Sequence, residues 1–171
     1  MKKILLCGYM ASGKTTIARL LGKASGMPVL DLDEVIEKKT DKSVSRIFAE
    51  DGEITFRRLE HDNLKALLEN ENGFILSLGG GTPCYANNHL FLQQDDVISV
   101  YLKTGIDELV KRLRQQGKER PLLEKLPDDE LHEYVAKHLF DRSYYYHQAK
   151  HVVVTDGRSP EDVINQIMSL F

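Results

Sequence analysis

An apolar run that ends in a glycine loop constrains this chain more than any other feature. Residues 4–7 (Ile-Leu-Leu-Cys) lead into Gly8-Tyr9-Met10-Ala11-Ser12-Gly13-Lys14-Thr15, and Thr16 continues into a helical pattern. The spacing is G-x-x-x-x-G-K-[ST] in the strand–loop–helix setting that this motif requires. The residue types follow from the chemistry of phosphate. Gly8 and Gly13 let the backbone bend and approach a phosphate group. Successive N–H groups from Ala11 and Ser12 through Gly13 to Thr16, at the start of a helix, supply donors and positive potential. Lys14 can reach β- and γ-phosphates as a point charge, and the Thr15 hydroxyl can ligate Mg²⁺. The motif implies a nucleoside triphosphate but not a reaction, because motors, GTPases, switches and small-molecule kinases all use it.

Further apolar runs lie at 29–32, 74–78, 97–102 and 151–154. They lack polar alternation, which suits strands covered on both faces, as in a parallel sheet. Helical patterns separate them. Residues 15–25 put Ile17, Leu20 and Leu21 on one face and stop at Gly26 and Pro28. Residues 43–50 and then 53–71 form a charged insert. Residues 107–116 are amphipathic through Leu109, Val110 and Leu113, and 128–146 read as another helix. The last helix opens Ser159-Pro160-Glu161-Asp162, an N-cap, a proline at the first helical position and acid in the first turn. Its apolar residues are Val163, Ile164, Ile167 and Leu170. The expectation is a three-layer α/β fold with a five-stranded parallel sheet flanked by helices.

At 171 residues the chain suits one domain whose core needs no disulfide or structural metal. A formal charge of −3 argues against a dedicated nucleic-acid binder, and no apolar run approaches the ~18 residues of a membrane span. The N-terminal Met-Lys-Lys-Ile-Leu-Leu imitates a secretory signal but runs into the glycine loop rather than a cleavage site. Cys7 and Cys84 form no framework; a reduced, buried thiol is expected at Cys7 and a cytoplasmic location for the protein. The six histidines have no metal-ligand spacing.

Asp31 and Asp33 form Asp-Leu-Asp at the end of the second apolar run, where parallel strands face a ligand crevice. Residues two apart on a strand point the same way, so both carboxylates can face a γ-phosphate. One can help hold Mg²⁺; the other can accept a proton from an attacking hydroxyl. The competing reading is that these acids cap the helix that follows.

Four more segments complete a pattern: Phe56-Arg57-Arg58-Leu59-Glu60, Ser77-Leu78-Gly79-Gly80-Gly81-Thr82-Pro83, Arg120-Pro121-Leu122-Leu123 and Arg142-Ser143-Tyr144-Tyr145-Tyr146. With the phosphate loop and Asp-Leu-Asp, their order and spacing resemble the shikimate kinase family over nearly the whole chain. The resemblance implies a P-loop NTPase fold like that of nucleoside monophosphate kinases, with a helical substrate-binding insert at 33–60 and a mobile lid at 117–125. It implies transfer of the γ-phosphoryl group of ATP, with Mg²⁺, to the 3-hydroxyl of shikimate on the route to chorismate. A monomer with no nucleic-acid or membrane partner is expected.

Residue by residue, the resemblance assigns the substrate carboxylate to Arg57 and Arg142, whose planar forks suit it. It assigns the substrate hydroxyls to Asp33 and the neighbourhood of Mg²⁺ to Asp31 and Thr15, with Ser77 able to hold a metal-bound water. Gly79, Gly80 and Gly81 would let backbone approach the substrate ring. Arg120 would bring a lid cation to the phosphates, and Arg114 and Pro160 would flank the adenine. Lys14, Asp33 and Arg120 are thus the expected catalytic residues. Plainer readings remain beside these: an Arg57–Glu60 pair on a helix surface, a solvated Arg142 beside Asp141, a surface Arg58, a tight turn at the glycines, and Tyr144–Tyr146 dividing between packing and surface. Ala11 departs from the family, which often has glycine there; little functional loss is expected. The alternatives to shikimate are another small hydroxy acid such as gluconate, a nucleotide acceptor, or a nucleotide-binding regulatory switch.

Overall fold

The computed structural model of the protein describes residues 2–116 and 126–171; the expected lid at 117–125, with Arg120, lies outside the described residues. The elements run β1 (Lys3–Cys7), α1 (Lys14–Ser25), β2 (Val29–Asp31), α2 (Leu32–Thr40), α3 (Val44–Leu68), β3 (Ile75–Ser77), 3-10 turns at Thr82–Cys84 and Asn88–Gln93, β4 (Val97–Lys103), α4 (Ile106–Gln115), α5 (Asp128–Tyr146), β5 (His151–Val154) and α6 (Pro160–Met168). All five expected strands form, in one sheet of order β2-β3-β1-β4-β5 with every pair parallel.

Alternation along β1 explains why, after Lys3, Ile4 to Cys7 carry no polar residue. Leu5 and Cys7 face one core, with residues of α2 to α5 such as Ile36, Leu64, Leu109 and Val135. Ile4 and Leu6 face the other, with Ile17 and Leu21 of α1 and Val163 and Ile167 of α6. Successive strand residues point to opposite faces, so a strand covered twice is apolar on both. On α1 the buried stripe is Ile17, Ala18 and Leu21, with Leu20 only half-buried.

Several helix ends follow the sequence signals. Gly26 closes α1 in the left-handed region and donates its N–H to Gly22 O. Ser43 and Ser159 cap α3 and α6 by accepting from Arg46 N and Asp162 N. The charged insert breaks where two helices are expected to meet: Gly52, at φ 86° and ψ 167°, takes a conformation that favours glycine. Cys7 is fully buried, its Sγ 3.9 Å from Tyr146 O, and burial pushes its thiol up to about 12. Among the described residues no helix is long and apolar enough to cross a membrane.

Candidate active site

The carboxyl ends of β1, β2 and β3 open on one cavity of about 540 Å³, as an open parallel sheet dictates. β1 stops at Cys7 and α1 starts at Lys14, with Gly13 as a left-handed N-cap at φ 92°. Ala11 is itself left-handed, at φ 66°, which costs an alanine about 1–2 kcal/mol. Its carbonyl accepts from Arg112 Nη1 at 3.1 Å. Lys14 Nζ donates to the loop's own carbonyls, Gly8 O and Tyr9 O, at 2.9 Å each. The ammonium is therefore held inside the phosphate loop, and its side chain borders the cavity.

The two acids meet by a different geometry from the expected one. β2 ends at Asp31, and Asp33 sits in the first turn of α2, so strand alternation does not align them. Asp31 is the cap: Oδ1 accepts from Asp33 N at 3.0 Å and Glu34 N at 3.3 Å. Its Oδ2 accepts from Thr15 Oγ1 at 3.2 Å. One carboxylate thus both caps α2 and reaches the phosphate loop, and Asp31 and Asp33 both border the cavity. Burial pushes the Asp33 carboxyl up to about 6; Asp31 and Glu60 add to the rise and Lys14 opposes it. Ser77, buried and in register with Asp31, lines the same floor.

Arg57, Arg142 and the glycine turn also line this cavity. Arg57 Nη1 donates to Glu60 Oε1 at 3.0 Å, as the plainer reading expects, but the pair is not a surface one. Glu60 is fully buried, and its Oε2 accepts from Thr82 Oγ1 at 2.7 Å. Glu60 was not among the expected site residues; an F-R-x-x-E segment does not say which of its charges faces inward. Arg57 passes so close to Gly81 that a Cβ there would lie 2.7 Å from Nη1, hence the glycine. Tyr146, buried at the end of α5, donates to Gly80 O at 2.6 Å and holds the turn from the other side, while Tyr144 is 64% exposed. Arg142, one turn earlier on α5, is half-buried and borders the cavity, and Arg58 is exposed.

A second cavity of about 260 Å³ adjoins the first; Ala11, Gly13, Thr16 and Gln116 wall both. Arg112, Arg158, Pro160 and Val163 line it. Pro160 lies where it is expected, beside the phosphate loop. Arg114 does not: it lies two residues past Arg112 on α4, ion-paired through Nε to Asp128 Oδ1 at 2.6 Å, and also bonds Leu126 O. The arginine of α4 at this groove is Arg112.

The pairing of Thr15 with Asp31 bears on Mg²⁺. Among the described residues no group of three or more His, Cys, Asp or Glu side chains could cage a metal. A hydroxyl and a carboxylate beside a phosphate loop fit Mg²⁺, which keeps most of its waters and takes the rest of its ligands from phosphate.

A glycine-rich loop between the central strand and its helix, with carboxylates and guanidinium groups across one cavity, defines a P-loop small-molecule kinase. The shikimate kinase family model matches residues 10–171. The shikimate kinase of Flavobacterium psychrophilum is 54% identical, the match covering 98% of this chain and 97% of that one. Among solved structures, the shikimate kinase of Bacteroides thetaiotaomicron superposes with a TM-score of 0.89 at 34% identity, over 99% of this chain and 97% of that one. The enzyme from Acinetobacter baumannii, in complex with shikimate, does so with 0.86 at 32%, over 99% and 92%. The chain belongs to the shikimate kinase family.

Proposed function

We propose that this enzyme transfers the γ-phosphoryl group of ATP to the 3-hydroxyl of shikimate, giving 3-phosphoshikimate and ADP on the route to chorismate. The observation that carries the reading is one cavity with two guanidinium groups, Arg57 and Arg142, and, on other elements, Asp33 and the phosphate loop. Two planar forks suit a single carboxylate, and a carboxylate base suits a hydroxyl. An acceptor nucleotide would call for base recognition and further phosphate-binding arginines here.

In this reading Arg57 and Arg142 bind the acid end of shikimate and Gly79–Gly81 face its ring. Asp33 orients the attacking hydroxyl and accepts its proton; a carboxyl raised to about 6 is a better base than an ordinary aspartate and is still ionised near neutral pH. Lys14 exchanges the loop carbonyls for phosphate oxygens and stabilises charge on the transferring group. Thr15, with Asp31 through water, would hold Mg²⁺, which supplies charge neutralisation at the phosphates. The base of ATP lies in the second groove, where the Arg112 guanidinium and Pro160 offer flat surfaces. A monomer in the cytoplasm, with Cys7 and Cys84 as reduced thiols, completes the proposal.

Coupled ADP release over a panel of shikimate, gluconate, a nucleoside monophosphate and no acceptor tests this function. Stimulation by shikimate alone is expected; stimulation by another acceptor, or by none, overturns it.

A further inference from the structure

We infer that Tyr85 is a positioning residue for the substrate: its ring stacks on the Arg57 guanidinium and holds the fork where it can receive a carboxylate. The inference rests on the reading of Arg57 as a carboxylate clamp.

The Arg57 Cζ lies 3.9 Å from the centre of the Tyr85 ring, closer than to Phe56 at 5.3 Å or Phe48 at 5.9 Å. At 3.9 Å the guanidinium is in van der Waals contact with the ring, the arrangement in which the π-face attracts a cation. The in-plane restraints on the fork are few. Nη1 donates to Glu60, and Nε reaches Glu53 only at 3.5 Å. One strong bond fixes a distance but leaves the fork free to swing about the N–H···O axis. A ring against its face removes that freedom, and Gly81 provides the space in which the fork lies.

The chain is built to deliver this ring. Tyr85 follows the turn Thr82–Cys84 with extended backbone, φ −126° and ψ 155°. Ala86 and Asn87 then adopt φ 51° and 56°, a left-handed pair without glycine that an L-residue adopts at a cost. This reversal is tied down: Asn88 N donates to Tyr85 O at 2.9 Å, and Asn88 Nδ2 to Thr82 O at 3.0 Å. Thr82 in turn bonds Glu60, the same carboxylate that holds Arg57. Glu60 therefore sets both the fork and the start of the segment that brings the ring. Tyr85 itself is 36% exposed, so its ring contributes far less to the core than to Arg57.

Steady-state kinetics on Tyr85→Leu, Tyr85→Phe, Arg57→Lys and the Tyr85→Leu/Arg57→Lys double variant test the inference. Tyr85→Leu should raise KM for shikimate about three- to ten-fold, the range of a partly desolvated cation–π contact. kcat and KM for ATP should stay within about two-fold of wild type. Tyr85→Phe keeps the ring face and should restore most of the affinity. Arg57→Lys should raise KM for shikimate by itself, and in that background Tyr85→Leu should add less than about two-fold, because the two act as a unit. If Arg57→Lys raises KM and Tyr85→Leu does not, the role of Tyr85 is overturned while that of Arg57 stands. If Arg57→Lys leaves shikimate kinetics unchanged, the clamp reading falls and takes the inference with it. If Tyr85→Leu lowers kcat, affinity for ATP and Tm together, Tyr85 is merely structural and the inference is again overturned.

Discussion

Asp33→Asn should make the protein more stable at neutral pH while it destroys activity. Burial and the neighbouring Asp31 and Glu60 move the ionisation of Asp33 from an ordinary aspartate's 3.8 to about 6. At about 1.4 kcal/mol per tenfold change in ionisation constant, this is a penalty of about 3 kcal/mol, reduced to about 2 kcal/mol because the side chain keeps some contact with water. Below pH 3.8 the group is neutral in the folded and unfolded chains, and the penalty vanishes. As pH rises towards 6 the unfolded chain ionises first and the native state loses stability; above 6 the full penalty applies. Asparagine keeps the shape without the charge. Urea unfolding of the ligand-free protein should show Asp33→Asn more stable by about 2 kcal/mol at pH 7.5, with the gain fading towards pH 4. At pH 7.5 the same variant should lose about 10²–10⁴ in kcat, the worth of a positioned base. A variant no more stable than wild type at pH 7.5, or a difference that does not narrow on acidification, would refute the account of Asp33 as a destabilised, functional carboxylate.

Three further outcomes follow from the geometry. Lys14→Met should lower kcat by at least about 10²-fold with the far-UV spectrum of the native fold retained, because the Lys14 ammonium bonds the phosphate loop's own Gly8 O and Tyr9 O; retention of most activity would remove the phosphate-loop argument. Ala11→Gly should relieve the left-handed backbone at φ 66° and, after the added freedom of the unfolded chain, stabilise by about 0.5–1 kcal/mol, read as a Tm rise of about 1–4 °C; a fall in Tm would contradict this. Gly81→Ala should raise KM for shikimate several-fold by displacing the Arg57 fork, and lower Tm because buried Glu60 then loses contact with its charge partner; unchanged shikimate kinetics would show that the fork does not need this space.

What the sequence reveals depends on how locally each feature is determined. The strands are legible because a strand buried on both faces is apolar along most of its length, as Ile4–Cys7 of β1 and all but Ser99 and Lys103 of β4 are. The break at Gly52 and the caps at Gly26 and Ser159 are local backbone chemistry and read directly. Asp31 and Asp33 are legible as a pair at the cavity but not in their separate roles, because the exact residue at which β2 yields to α2 decides which one also caps the helix. Arg112 and Arg114 differ by two residues, about 200° around a helix, so a small error in helical phase exchanges the groove arginine for the one paired with Asp128. Glu60 and Tyr146 escape for another reason. Their partners, Thr82 and Gly80, lie 22 and 66 residues away, and no local pattern marks a contact that only the packed fold creates.

The most direct test of the central claim is ³¹P NMR of a reaction containing enzyme, Mg²⁺-ATP and shikimate. One phosphomonoester signal should appear for each ADP formed, correlated in a two-dimensional ¹H–³¹P spectrum with the ring proton on carbon 3, and no phosphomonoester should form when shikimate is omitted. ADP accompanied only by inorganic phosphate, or a phosphate carried on another hydroxyl, would contradict the account.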